Sequence, residues 1–127
     1  MKKFSKAWKA SKKRKKQHKY RACADKRTRK KIMSINLGKE LRKKFKMRNI
    51  EPRKGDLVVI MKGKFKKKEG KIVEIKLKKY RIGIEGIQKT KKDGSKVNIY
   101  FDPSNLQIKE LSLEDKKRLK IFEDKKT

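Results

Sequence analysis

The sequence predicts a mainly β protein: a small antiparallel barrel with a basic N-terminal extension and short flanking helices. Three observations carry this expectation. From Leu57 onward apolar residues recur at every second position, the period of strands with one buried face. Glycine and aspartate turn signals divide that stretch at short intervals. The first 31 residues, by contrast, hold 16 basic side chains, one acid (Asp25) and few apolar groups beyond Phe4, Trp8, Tyr20 and scattered alanines, too few to offset the entropy of ordering that backbone. The expected organisation is a basic arm over residues 1–33, a short helix and linker over 34–50, the barrel over 51–111, and a C-terminal helix and tail over 112–127.

Each element has its own signal. Leu37, Leu41 and Phe45 lie four apart, so a short helix over 38–45 presents one thin apolar stripe. Pro52 blocks further helix, and Gly55-Asp56 marks a turn before the strand Leu57–Met61. Val73, Ile75 and Leu77 alternate with Glu74 and Lys76, and Tyr80, Ile82 and Ile84 alternate with Arg81, Gly83 and Glu85, which reads as two half-buried strands joined tightly at Lys78-Lys79. Lys92-Asp93-Gly94-Ser95 carries an Asp-Gly hairpin turn into Val97, Ile99 and Phe101. Asp102-Pro103-Ser104-Asn105 ends that strand, and Leu106 and Ile108 open a last one. Five strands with short loops suit a barrel, whose closure removes aggregation-prone edges. Ser112 ahead of Glu114 and Asp115 reads as the N-cap of a helix over 113–122.

Of the 127 residues 45 are Lys or Arg and 14 Asp or Glu, so the formal charge is +31. Such a chain repels itself, and a large polyanion would relieve the repulsion while releasing condensed counterions. Nucleic acid is the expected partner. Cys23 is the sole cysteine and forms no intrachain disulfide, which fits a reducing compartment. Lysines at 6, 9, 12 and 13 interrupt the stretch where a secretory leader needs apolar residues, and Leu57–Met61 is far too short for a membrane span. A soluble protein of the cytoplasm, without membrane or small-molecule substrate, is expected.

Catalytic and metal chemistry find little support. His18 and Cys23 are single instances of their types, whereas a structural zinc site takes about four such ligands. Glu114-Asp115 and Glu123-Asp124 are adjacent pairs on a helical stretch and do not face one another. No Ser-His-Asp set or P-loop can be assembled. No enzyme, cofactor or metal is expected. The informative segment runs from Arg53 to Val73, where two strands flank a loop with Lys62, Lys64, Lys66, Lys67 and Lys68. Gly63 and Gly70 bracket this loop, and glycine allows the positive φ that a tight loop uses to leave and rejoin a barrel. The lysines can neutralise phosphates; Phe65 can pack over the barrel mouth or stack on an unpaired base.

This segment resembles the KOW motif of SH3-like barrels. The wider run is similar to one family, the large-subunit ribosomal protein numbered twenty-four, called twenty-six in eukaryotes. The resemblance rests on Ile32-Met33-Ser34, Lys39-Glu40-Leu41-Arg42-Lys43-Lys44-Phe45, Pro52-Arg53-Lys54-Gly55-Asp56, Tyr80-Arg81-Ile82, Ile84-Glu85-Gly86, Lys91 to Val97 and Pro103-Ser104-Asn105, in order. It departs at Lys67, where the family usually has a second loop glycine, at Asp102 in place of histidine, at Gly38 in place of a capping serine, and at Lys46, a common helix-ending glycine position. The resemblance implies a constituent of the large ribosomal subunit that binds ribosomal RNA of the 5′ domain early in assembly, lies near the peptide exit tunnel and has other ribosomal proteins as neighbours.

The candidate RNA contacts are Lys12, Lys13, Arg14, Lys15, Lys16, Arg21, Arg27, Arg29 and Lys30 in the arm. Lys39, Arg42, Lys43, Arg48, Arg53 and Lys54 follow in the helix and linker. The loop adds Lys62, Lys64, Phe65, Lys66, Lys67, Lys68 and Lys71, and the hairpin Lys91 and Lys92. Gly55, Gly63, Gly70 and Gly94 are candidate structural glycines. Two other readings compete. A KOW module of a transcription elongation factor would carry a second domain, for which residues 1 to 50 are too basic and apolar-poor. A chromatin barrel reading methylated lysine needs several converging aromatics, and only Phe65, Tyr80, Tyr100 and Phe101 are available.

Overall fold

The structure, a computed structural model, describes residues 10–124. Arm residues 1–9, with Phe4 and Trp8, and tail residues 125–127 lie outside the described residues. Among the described residues four short helices accompany seven strands: α1 (Arg14–Cys23), α2 (Lys26–Ile32), β1 (Ile35–Leu37), α3 (Lys39–Phe45), β2 (Asn49–Ile50), β3 (Leu57–Ile60), β4 (Glu69–Lys76), β5 (Arg81–Thr90), β6 (Lys96–Phe101), β7 (Leu106–Glu110) and α4 (Lys116–Asp124), with a 3₁₀ turn at Pro103–Asn105.

The strands form one sheet in the order β2-β1-β7-β3-β4-β5-β6. The five expected strands are there, and the fold is mainly β. Two short strands join them from the segment read as helix and linker: Asn36 pairs in parallel with Gln107, and Ile35 pairs antiparallel with Ile50. The expected closure is not made by hydrogen bonds, since β2 and β6 end the order. The sheet instead curls at register shifts near Leu57, between Ile72 and Glu74, and between Gly83 and Gln88. Such bulges bend a strand and increase its twist. Met33, Ile35, Leu37, Val58, Ile60, Ile82, Leu106 and Ile108 form the core of this curl.

Three local expectations change. Val73 was expected on the buried face, but it sits at the β4 shift and is exposed, and Ile72 is buried in its stead. Tyr80 belongs to the β4–β5 turn, with φ of 53°, and not to the strand. The last helix begins at Lys116, not 113, because Asp56 captures the Ser112 amide (2.9 Å) while the Asp115 carboxylate accepts the Lys117 N–H (2.8 Å). Asp115 is the cap.

A buried ion pair fastens α4 to the sheet. The Arg118 guanidinium, 1% exposed, grips the Asp56 carboxylate, 0% exposed, through two bonds of 2.6 and 2.8 Å. Asp56 also accepts the amides of Arg53 and Ser112, and Arg118 also donates to the carbonyls of Ser112 and Glu51. Both charges are thus answered by several partners, as burial demands. Phe122 on α4 meets Phe45 on α3 with ring centroids 4.2 Å apart.

Candidate nucleic-acid interface

Four elements display the predicted cations, and each has a local reason for its shape. The arm is the first. Its composition offers too few apolar groups to order the backbone by burial, yet its described part forms α1 and α2. Lys, Arg, Gln and Ala are good helix formers, and the Asp25 carboxylate caps α2 by accepting the Thr28 N–H at 3.0 Å. Arg29 donates to the carbonyls of Ala24 and Ala22, both at 2.9 Å, which holds the corner between the helices. The Tyr80 hydroxyl donates to the Arg21 carbonyl, and the Arg21 guanidinium lies 4.6 Å from the centre of the Tyr80 ring. Burial raises the pKa of that hydroxyl, with Arg29 and Arg21 pulling it back, so it stays a donor at neutral pH. The β4–β5 turn therefore anchors a helix that buries no residue of its own.

The second element is α3 with the chain that follows it. Lys39, Lys43 and Arg48 are exposed, while Arg42 is half-buried and donates to the Leu37 carbonyl at 2.9 Å. Lys46 ends the helix in the left-handed conformation, φ 52°, the geometry for which glycine is the usual residue. Gly38 starts it without a side-chain cap; its own N–H binds the Ile108 carbonyl, and an added Cβ would lie 3.2 Å from that oxygen. Lys54 is exposed at the turn into β3, where Gly55 has φ of 90°. Arg53 is paired with Asp115.

The lysine loop is the third. It closes through the Lys67 amide on the Ile60 carbonyl (2.8 Å) and the Ile60 amide on the Lys68 carbonyl (3.0 Å). Gly63 has φ of 96° and Lys67 φ of 70°. The loop thus keeps a left-handed position at Lys67 and bears the cost of a side chain there. Lys62, Lys64, Lys66, Lys67 and Lys68 are all exposed, as is Lys71 on β4. Phe65 packs back on the sheet, edge-on to Phe101 with centroids 6.1 Å apart, and Lys68 lies over its ring at 5.2 Å. Its ring is half-buried by this packing. Gly70 has no positive φ. It is required because a Cβ there would come within 2.6 Å of the Ile84 side chain and 2.8 Å of the Glu85 carbonyl.

The fourth is the β5–β6 hairpin, whose residues 88–98 are all exposed. Asp93 takes the Ser95 amide and hydroxyl, bonds that lower its pKa, and Gly94 sits at φ of 89°. The turn holds Lys91 and Lys92 in solvent. Among the departures from the family pattern, Asp102 caps the 3₁₀ turn and pairs with Arg81 at 3.3 Å.

All the predicted cations are exposed except Arg29, Arg42 and Arg53, which are half-buried and bonded within the protein. Sequence reasoning did not single out Asp56 and Arg118 as partners; 62 positions separate them, and no local pattern links them. Nor did it single out Tyr80 as the arm's anchor.

A small mainly β body that pairs its buried charges and leaves most of the predicted contact cations exposed has the surface of a polyanion-binding structural module. Residues 11–125 match the family model that groups the eukaryotic ribosomal proteins L26 with their archaeal L24 counterparts, and the chain belongs to that family. It is 39% identical over 110 residues to the large ribosomal subunit protein uL24 of Korarchaeum cryptofilum (strain OPF8), covering 87% of this chain and 84% of that one.

Proposed function

We propose that this protein is a structural constituent of the large ribosomal subunit, working in the cytoplasm, that binds ribosomal RNA of the 5′ domain during early assembly and comes to lie near the peptide exit tunnel beside other ribosomal proteins. The observation that carries the reading is the exposed cations of the arm, the lysine loop and the hairpin, borne by a member of a ribosomal protein family. The mechanism is charge neutralisation plus shape. Side chains cannot read the deep, narrow major groove of A-form RNA, so the lysines engage phosphates and 2′-hydroxyls with little sequence discrimination. The arm is tied to the β body through Tyr80, so less of it must be ordered on binding. The role is one of binding and assembly, without a catalytic step.

Sucrose-gradient sedimentation of a cell lysate after a salt wash tests the assignment. Migration with the large subunit is the expected result. Recovery with RNA polymerase would favour the elongation-factor reading, and recovery with nucleosomes the chromatin reading. Crosslinking within the assembled particle then locates the RNA segment.

A further inference from the structure

Two hollows flank the line along which α1 meets the β body. One, about 440 Å³, lies between α1 and the 3₁₀ turn and is lined by Tyr20, Ile32, Pro103, Gln17, Ser34 and Ser104. The other, about 270 Å³, lies between α1 and the β4–β5 turn and is lined by His18, Lys78, Lys79 and Arg81. Arg21 and Asp102 belong to both. The chemistry of the two differs. The first offers an aromatic ring and aliphatic groups beside the Gln17 amide and the Ser34 and Ser104 hydroxyls, which donate to the Ser11 carbonyl, the Lys31 carbonyl and Asp102 and so present their oxygens as acceptors; this suits the flat face and amino edge of a nucleobase. The second gathers lysine and arginine cations, and its one carboxylate, Asp102, is already paired with Arg81 at 3.3 Å, which suits a phosphate.

We propose that this double hollow seats one unstacked ribonucleotide of the bound RNA, its base between α1 and the 3₁₀ turn and its phosphate against the β4–β5 turn. The inference rests on the RNA-binding reading above and adds to it a site made of residues outside the candidate contacts, Arg21 apart. A paired nucleotide in an A-form helix keeps its base in the stack, so the occupant is a looped-out or single-stranded one. The walls are held in place without RNA, because Tyr80 bonds the Arg21 carbonyl and stacks under its guanidinium. A prearranged seat loses less ordering entropy on binding.

The test is chemical probing of deproteinised large-subunit ribosomal RNA bound to the full chain, with reagents that report base edges and 2′-hydroxyls separately. The wild-type footprint is read first and is expected to include one unpaired nucleotide protected at its base. Ser104→Trp, at an exposed position of the 3₁₀ turn, fills the hollow and is expected to abolish that protection while the rest of the footprint and the melting curve stay unchanged. Tyr20→Ala is expected to weaken binding by about five- to a hundred-fold, the range for loss of one base–aromatic stack, whereas Tyr20→Phe keeps the ring and stays within about two-fold of wild type. Removing Lys78 and Lys79 together is expected to reduce the salt slope by about two. Base reactivity that Ser104→Trp leaves unaltered at every nucleotide overturns the proposal. So does loss of subunit incorporation with an unchanged RNA footprint, which would give the hollow to a neighbouring protein. A wild-type chain that protects no RNA overturns the RNA-binding reading itself, and this site with it.

Discussion

The seam under α4 and the surface formed by arm, lysine loop and hairpin handle charge in opposite ways. At the seam, Asp56 and Arg118 are buried and meet through two bonds, with four further backbone partners around them. On the surface, the lysines of the loop and hairpin stand exposed on backbone shaped by local bonds and left-handed residues. The difference separates two uses of the same chemistry. Paired, desolvated charge fixes where a helix sits; solvated charge of one sign is stored repulsion that a polyanion relieves.

Substitutions can break this contrast in order of expected effect. Asp56→Ala leaves Arg118 buried without its counterion and is expected to destabilise the protein by about 3–5 kcal/mol, read by denaturant unfolding. Exchanging both partners for apolar residues of similar size is expected to cost far less, which distinguishes the penalty of an orphaned charge from the worth of the pair. Gly70→Val forces a side chain against Ile84 and the Glu85 carbonyl, with an expected loss of about 1–3 kcal/mol by the same measurement. Changing Lys64, Lys66 and Lys68 together to Ala is expected to leave thermal stability unchanged or slightly raised, to weaken binding similarly across RNA sequences, and to reduce the salt slope by up to about three. An unchanged slope would mean that the loop points away from RNA. Lys67→Gly relieves a left-handed position and is expected to raise stability by up to about 1 kcal/mol. The smallest effect is at the hairpin tip. Folding depresses the Asp93 pKa, so its contribution is present above the ordinary aspartate range and is lost as pH falls through the folded value. The protection of the Ser95 amide relative to an unstructured chain at the same pH is expected to fall there, and Asp93→Ala to remove that change.

The parts of this picture that the sequence made readable are those specified by neighbours along the chain. The apolar run of Leu57 to Ile60, the alternation of Ile82 and Ile84 with their neighbours, the stripe of α3 and the Asp93-Gly94 turn are all patterns within a few positions. The unread parts depend on distant partners. β1 is three residues long and is a strand because Asn36 and Leu37 lie against Gln107 and Ile108. Arg118 carries no local signal, and only the fold brings Asp56 to it. The arm's helices were hidden for another reason: a polar helix has no apolar period, although helix-forming residues and the Asp25 cap were there to be read. Among the site residues, exposure followed from composition. What composition could not reveal is which cations the protein keeps for itself, as it does Arg29, Arg42 and Arg53.

The central claim is that the surface cations exist to be neutralised by RNA phosphates. Its most direct measurement is the affinity of the full chain for large-subunit ribosomal RNA as a function of salt. If roughly six to ten phosphates are engaged, log affinity falls linearly with log salt and drops by about 10³ to 10⁵ between 50 and 200 mM. Affinity that stays level across that range would contradict the account.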